Sequence, residues 1–190
     1  MPRTLILKFH PAPARSRANA ALAAAAAELA DVEVVDMQAL YPSGEVDIGT
    51  EVARLLTARR LVLQFPVQWY SVPPLMKAWA DAVLTHMYYI AYEAEGRRLE
   101  GTPLMIAATA GNVMGSYAPE GGNLLPLADL LAPWRATANR CGLPWMPPFF
   151  VYEADRLGPE ALGLAGQRYA RRLRDWNDAP VGPIRAGTSW

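Results

Sequence analysis

At 190 residues, with 52% apolar and 19% charged side chains, the chain suits one domain with a sizeable core and is too apolar to be a disordered polymer. Eighteen Lys and Arg balance eighteen Asp and Glu, which argues against a nucleic-acid binder, and no apolar run approaches the roughly 20 residues of a membrane span. One cysteine, Cys141, and two distant histidines, His10 and His86, leave no disulfide framework and no metal-ligand spacing, and Met1-Pro2-Arg3-Thr4 shows no signal-peptide pattern, so a cytoplasmic location is expected.

Leu5-Ile6-Leu7-Lys8-Phe9 is a short apolar run stopped by His10-Pro11, and it reads as a buried strand. An Ala-rich helix follows from Arg15 to Ala30, with Ser16 as its start. Val32 to Met37 is a second strand, Ile48 to Ala58 a second helix, and Arg60 to Phe65 a third strand ended by Pro66. Leu75, Trp79, Val83 and His86 recur at helical spacing behind Pro73-Pro74. Leu104 to Thr109 is a fourth strand, and a helix from Leu127 to Cys141 contains Pro133 as the place for a kink. Phe149 to Tyr152 is a short fifth strand, followed by a helix carrying Leu162, Tyr169, Leu173 and Trp176 and by a tail, 177–190. Strands alternating with helices imply a single α/β domain of three layers around a five-stranded parallel sheet. Two long connections, Thr85 to Gly101 with Tyr88, Tyr89 and Tyr92, and Thr109 to Leu124 with its glycines, are expected to serve function or an interface.

Ligands of an open α/β sheet sit beyond the C-terminal ends of its strands. After strand 1, Ser16, Arg17, Ala18 and Asn19 lie where helix N–H groups are free, which suits a phosphate. The same residues also read as a plain N-cap at Ser16 with solvated arginines, and the chain contains no GxGxxG. After strand 3, Trp69 and Tyr70 offer flat apolar surface beside backbone amides, the combination a planar heterocycle needs, although local packing or a subunit contact would also account for them. After strand 4, Thr109-Ala110-Gly111-Asn112 is a small-residue loop that admits a ligand close to backbone or simply turns. Ser71 and Ser116 lie in no GxSxG elbow, which sets a hydrolase aside.

The string Gln64-Phe65-Pro66-Val67-Gln68-Trp69-Tyr70-Ser71-Val72-Pro73-Pro74-Leu75-Met76-Lys77-Ala78-Trp79 resembles the signature of the flavodoxin-like NAD(P)H:quinone oxidoreductases. Its nearest likeness is to the short bacterial branch that includes ancillary subunits of glutathione-gated potassium-efflux systems. The similarity runs on through His10-Pro11, Ser16-x-x-Asn19, Tyr41-Pro42, Thr109 to Gly111 and Cys141-Gly142-Leu143.

That resemblance implies a flavodoxin-like sheet of order 2-1-3-4-5, a homodimer with its sites at the subunit interface, and FMN or FAD as cofactor, the short chain favouring FMN. By the same likeness His10 and Ser16 to Asn19 would hold the flavin phosphate. Pro66, Val67, Gln68, Trp69 and Tyr70 would hold the ring, partly through backbone amides, and Thr109, Ala110, Gly111 and Asn112 would line its other edge. The implied reaction is ping-pong, two electrons passing from NAD(P)H through the flavin to a quinone or similar electrophile. Tyr117 and Asn123 are the candidate catalytic positions: Tyr117 where relatives carry Tyr or Phe over the flavin, Asn123 nearest a histidine that assists charge relay in relatives. Asparagine cannot shuttle a proton near neutral pH. The alternative is a flavin-binding regulatory subunit of a membrane transporter. Tyr88, Tyr89 and Tyr92 would cover the partner's flavin or form the dimer contact, and Arg15, Arg17, Arg97, Arg98 and Arg135 are open candidates for a nicotinamide 2′-phosphate.

Overall fold

Side chains alternate sides along a strand, so an apolar run of five or six residues feeds two separate cores. The computed structural model describes residues 4–179, so most of the expected tail lies outside it. Its strands are β1 (Thr4–Lys8), β2 (Val32–Asp36), β3 (Arg60–Pro66), β4 (Leu104–Thr109) and β5 (Phe149–Val151). They form one wholly parallel sheet in the order β2-β1-β3-β4-β5, as the resemblance implies. Thr4 stands beside Val32 and Arg60, Leu61 beside Leu104, and Ala107 beside Phe149.

The helices are α1 (Ala18–Ala27), α2 (Met37–Leu40), α3 (Ile48–Leu55), α4 (Pro74–Thr85), α5 (Arg97–Leu99), α6 (Leu127–Leu130), α7 (Ala132–Arg140) and α8 (Pro159–Asp178). On one side of the sheet, Leu5, Leu7, Leu61, Leu63, Leu104 and Ile106 share a core with Val52 of α3, Trp79 of α4 and Trp134 of α7. On the other, Ile6, Val62 and Met105 meet Leu22 of α1 and Tyr169, Leu173 and Trp176 of α8. The Ala-rich run of α1 is more than a strong helix former. A side chain at Gly166 of α8 would meet the Ala21 carbonyl and the Ala25 methyl at 3.1 Å, so small residues on both helices let them lie close.

Three expectations change. Ser16 does not cap α1; a 3₁₀ turn, Pro13–Arg15, precedes it and Arg17 occupies the N-cap position with no side-chain cap bond. The predicted helix from Leu127 to Cys141 is two helices meeting at Leu131, because Pro133 lacks the N–H that would bond the Asp129 carbonyl and so fits only the first turn of α7. The connection from Thr85 to Gly101 is not a loop. It carries two π-helical turns, His86–Ile90 and Tyr92–Gly96, which continue α4 into α5.

Beneath α3 and α4 the Glu51 carboxylate is fully buried and fully partnered. It accepts from the Tyr41 hydroxyl at 2.9 Å, the Trp79 indole N–H at 3.1 Å and Arg54 Nε at 3.1 Å. Among the described residues no helix is long and apolar enough to cross a membrane.

Candidate functional site

The crevice begins where β1 ends. His10 is half-buried, and its Nδ1 accepts from the Ala12 amide at 3.2 Å, which suits a neutral ring. Burial and the nearby Lys8 ammonium hold its pKa below the ordinary value. Among the described residues Ser16 Oγ is buried without a partner. A buried hydroxyl with no hydrogen bond costs about 1–3 kcal/mol, and here it lies two residues ahead of the free N–H groups of α1. This arrangement fits a phosphate better than the plain N-cap reading, since the serine caps nothing. Arg17 stands apart from that role. Its guanidinium donates to the Asp155 carbonyl at 3.1 Å and the Leu157 carbonyl at 2.7 Å, tying the loop after β5 to the start of α1.

The floor is polar and shared by three elements. Asn19 Nδ2 donates to Thr109 Oγ1 at 2.6 Å, and Gln64 Nε2 donates to the Asn19 carbonyl at 2.8 Å. All three side chains are buried, so the ends of β3 and β4 are locked to the first turn of α1.

After β3 the chain makes a tight two-residue turn. The Gln68 amide donates to the Ser71 carbonyl at 3.0 Å and the Ser71 amide returns to Gln68 at 2.9 Å. Trp69 and Tyr70 form its apex at φ of 45° and 62°, left-handed conformations that bulky side chains rarely take. The Trp69 side chain is 93% exposed. Pro66 stands beside Thr109 in the sheet, and the Val67 amide donates to the Thr109 carbonyl at 2.8 Å. Of the four amides expected to meet the ring, those of Val67 and Gln68 are therefore used by the chain itself, which leaves those of Trp69 and Tyr70 at the turn's apex.

After β4, Ala110 is buried, its amide donating to the Val151 carbonyl at 2.8 Å, while Gly111 and Asn112 are exposed. The segment beyond folds on itself. Asn123 N–H donates to the Ser116 carbonyl at 2.9 Å and Leu124 N–H to the Gly121 carbonyl at 3.0 Å. A side chain at Gly121 would run into the carbonyl oxygens of Ser116 and Gly115, so this fold of the loop requires glycine. It brings the Asn123 side chain to Tyr70, whose hydroxyl donates to Asn123 Oδ1 at 3.2 Å. Tyr117 packs against Tyr152, ring centroids 5.6 Å apart, and burial with the neighbouring Tyr70 phenol pushes its pKa up.

The loops after β1, β3 and β4 thus carry the predicted residues at one end of the sheet. A fourth contributor, the segment after β5, was not anticipated. Tyr152 walls Tyr117, Glu153 takes φ of 53° and donates its amide to the Asn112 carbonyl at 3.1 Å, and Asp155 and Leu157 hold Arg17. The signal for it was the position of β5 beside β4 in the implied strand order. His86 and Cys141 lie elsewhere: His86 Nε2 faces Glu95 Oε2 at 3.2 Å, and burial pushes the Cys141 thiol up to about 12. Of the three tyrosines in the 85–101 segment, Tyr88 donates to the Cys141 carbonyl and Tyr92 to Glu100 Oε1, each at 2.7 Å. Tyr89 stays exposed beside Ile90, under the Arg140 guanidinium at 5.0 Å.

Comparison with known proteins gives this end of the sheet its context. A family model described as flavodoxin-like fold matches residues 2–176. The glutathione-regulated potassium-efflux system ancillary protein KefF of Klebsiella pneumoniae (strain 342) is 39% identical over 175 residues, which cover 92% of this chain and 97% of that protein. A crystal structure of general stress protein 14 from Treponema denticola in complex with FMN superposes with a TM-score of 0.80 at 32% identity, covering 93% of this chain and 98% of that one. An NADPH-quinone reductase from P. pentosaceus superposes with a TM-score of 0.77 at 27% identity, covering 90% and 96%. On the match across nearly its whole length, the chain belongs to the Flavodoxin_2 family of flavodoxin-like proteins.

Proposed function

We propose that this chain is an FMN-dependent NAD(P)H oxidoreductase acting on quinones or similar electrophiles. The observation that carries the reading is the buried, unpartnered Ser16 hydroxyl beside the free amides of α1, on the same end of the sheet as the exposed Trp69 ring. One element suits a phosphate and the other a flat heterocycle, and a flavin mononucleotide presents both. FMN in the Treponema denticola structure and the quinone reductase activity in the name of the P. pentosaceus protein support the same assignment.

Bound there, FMN supplies two-electron hydride chemistry between a nicotinamide and a quinone. This chain's residues do the rest. Ser16 and the first amides of α1 hold the phosphate, with His10 and the backbone of Arg17 and Ala18 around it. The Asn19–Thr109–Gln64 network keeps the floor rigid. The Trp69 and Tyr70 amides would serve as donors to the ring's polar edge, where donors stabilise negative charge. Pro66, Val67, Gln68 and the Thr109 to Asn112 segment close the remaining sides. Tyr117, with its proton held firmly by burial, is a hydrogen-bond donor to a bound acceptor. Asn123 adds a neutral amide in place of a proton shuttle. With FMN bound, steady-state oxidation of NADH or NADPH by a benzoquinone should give the parallel double-reciprocal lines of a ping-pong reaction. Failure of either nicotinamide to reduce the FMN-loaded protein would overturn the assignment.

A second copy of the chain is the proposed partner. Trp69, Met114, Leu124 and Leu125 stand exposed on the loops around the crevice, and Tyr89 and Ile90 on the π-helical turn, more apolar surface than solvated loops usually show. A second reading, a regulatory subunit of a potassium-efflux transporter, is favoured by the 39% identity to KefF over nearly the full length of both chains. Turnover by the isolated protein belongs to the first reading, and a change in ion flux on adding the FMN-loaded chain to transporter vesicles belongs to the second.

A further inference from the structure

The two left-handed residues after β3 need something to hold them. Trp69 and Tyr70 both sit at positive φ, and neither is a residue type that favours it. The Gln68 and Ser71 hydrogen bonds fix the base of the turn but do not reach its apex. Among the described residues the apex has one hydrogen-bonded tether from outside the turn: the Tyr70 hydroxyl donates to Asn123 Oδ1 at 3.2 Å, across the mouth of the crevice. Asn123 is itself placed firmly. Its amide is bonded to the Ser116 carbonyl, its own carbonyl accepts from Leu125 at 2.7 Å, and the close approach of Gly121 to the Ser116 and Gly115 carbonyls leaves that loop little freedom. A rigid loop from β4 therefore reaches over and pins a strained turn from β3.

We propose that Asn123 is a positioning residue that acts through Tyr70, clasping the Trp69–Tyr70 turn in the shape that presents its two amides to the flavin ring. The clasp rests on the functional reading above and adds to it a role that needs no proton transfer. Without the hydrogen bond the apex is free to relax toward ordinary backbone angles, and ordering it again on binding weakens affinity.

The test compares Asn123→Ala, Asn123→Asp and Tyr70→Phe with the native chain by FMN titration and by amide hydrogen exchange of the FMN-free protein. Loss of one such hydrogen bond should weaken FMN binding by about fivefold in Asn123→Ala and in Tyr70→Phe. The double variant should be no weaker than either single one, because both remove the same contact. Asn123→Asp, which still accepts from the Tyr70 hydroxyl, should recover most of the affinity. In the FMN-free protein the Gln68 and Ser71 amides, bonded to each other's carbonyls across the base of the turn, should exchange faster in Asn123→Ala while those of the sheet do not change, a split that a general loss of stability would not give. A native chain that binds FMN, with affinity and turn exchange indifferent to Asn123, overturns the clasp alone. A native chain that binds no FMN overturns the functional reading beneath it.

Discussion

Ser16 separates binding from stability in a single side chain. Its hydroxyl is buried and has no hydrogen-bond partner among the described residues, so removing it relieves a cost in the empty protein and forfeits a contact in the loaded one. Ser16→Ala should therefore leave the melting temperature of the FMN-free protein unchanged or higher. FMN affinity should fall by about tenfold, the scale of a hydrogen bond to a charged group. His10 carries a pH signature. Its pKa lies below the ordinary value of about 6.5, chiefly through burial, so the unfolded chain takes up this proton first as the pH falls. The stability that neutral His10 contributes is present above about pH 6.5 and is lost as the pH falls through the folded value. An NMR titration of the His10 ring should give a midpoint under 6.5; a midpoint above it would contradict the burial argument. That Trp69 and Tyr70 would offer flat apolar surface at the end of a buried strand was legible from two adjacent rings there, and both are exposed. Their left-handed backbone was not legible, since nothing in their chemistry prefers it. Ser16 was read as a cap because its residue type and position permit one, and only the 3₁₀ turn at Pro13–Arg15 moved the helix start past it.

At the level of elements, the strands were legible to within a residue or two, being short apolar runs bounded by proline, glycine or charge. The helices were less so. The 85–101 segment was read as a loop because its tyrosines break the simple apolar stripe of α4, yet apart from Gly96 it lacks breakers until Gly101, and the structure keeps it helical in π-turns. The segment after β5 escaped notice because β5 is only three residues long and lies at the sheet edge. Glu51 was read only as part of a helix, and its true role shows only when α2, α3 and α4 are packed: one carboxylate satisfies donors from Tyr41, Arg54 and Trp79. Burial, and then the hydrogen bond to Glu51, push the Tyr41 phenol up to about 12. Glu51→Ala leaves those donors without their acceptor and should cost about 3 kcal/mol, the scale of breaking a buried ion pair. Chemical denaturation should show it as a lower midpoint at unchanged slope, and a loss under 1 kcal/mol would mean that the network is dispensable.

For the molecule as a whole, the strand order implied by the family resemblance is the one found, and a parallel sheet of this order leaves a crevice at the ends of β1, β3 and β4, where the proposed site lies. How the loops meet across it was not legible, because the Tyr70–Asn123 and Arg17–Leu157 contacts join residues 53 and 140 positions apart. The exposed Tyr89, Ile90 and Leu124 belong to the same scale: they are apolar surface that a second copy would cover. The native chain should sediment as a dimer, and Ile90→Glu should shift it toward monomer; a native monomer at micromolar concentration would contradict the proposed partner. The claim on which all of this depends is that the crevice holds FMN by Ser16 at one end and Trp69 at the other. Titrating the FMN-free chain with FMN, followed by flavin fluorescence, tests it directly. The account predicts one FMN per chain and an affinity at least about tenfold weaker in Trp69→Ala, beyond the effect of an ordinary surface change. No saturable binding, or binding that Trp69→Ala leaves untouched, would contradict it.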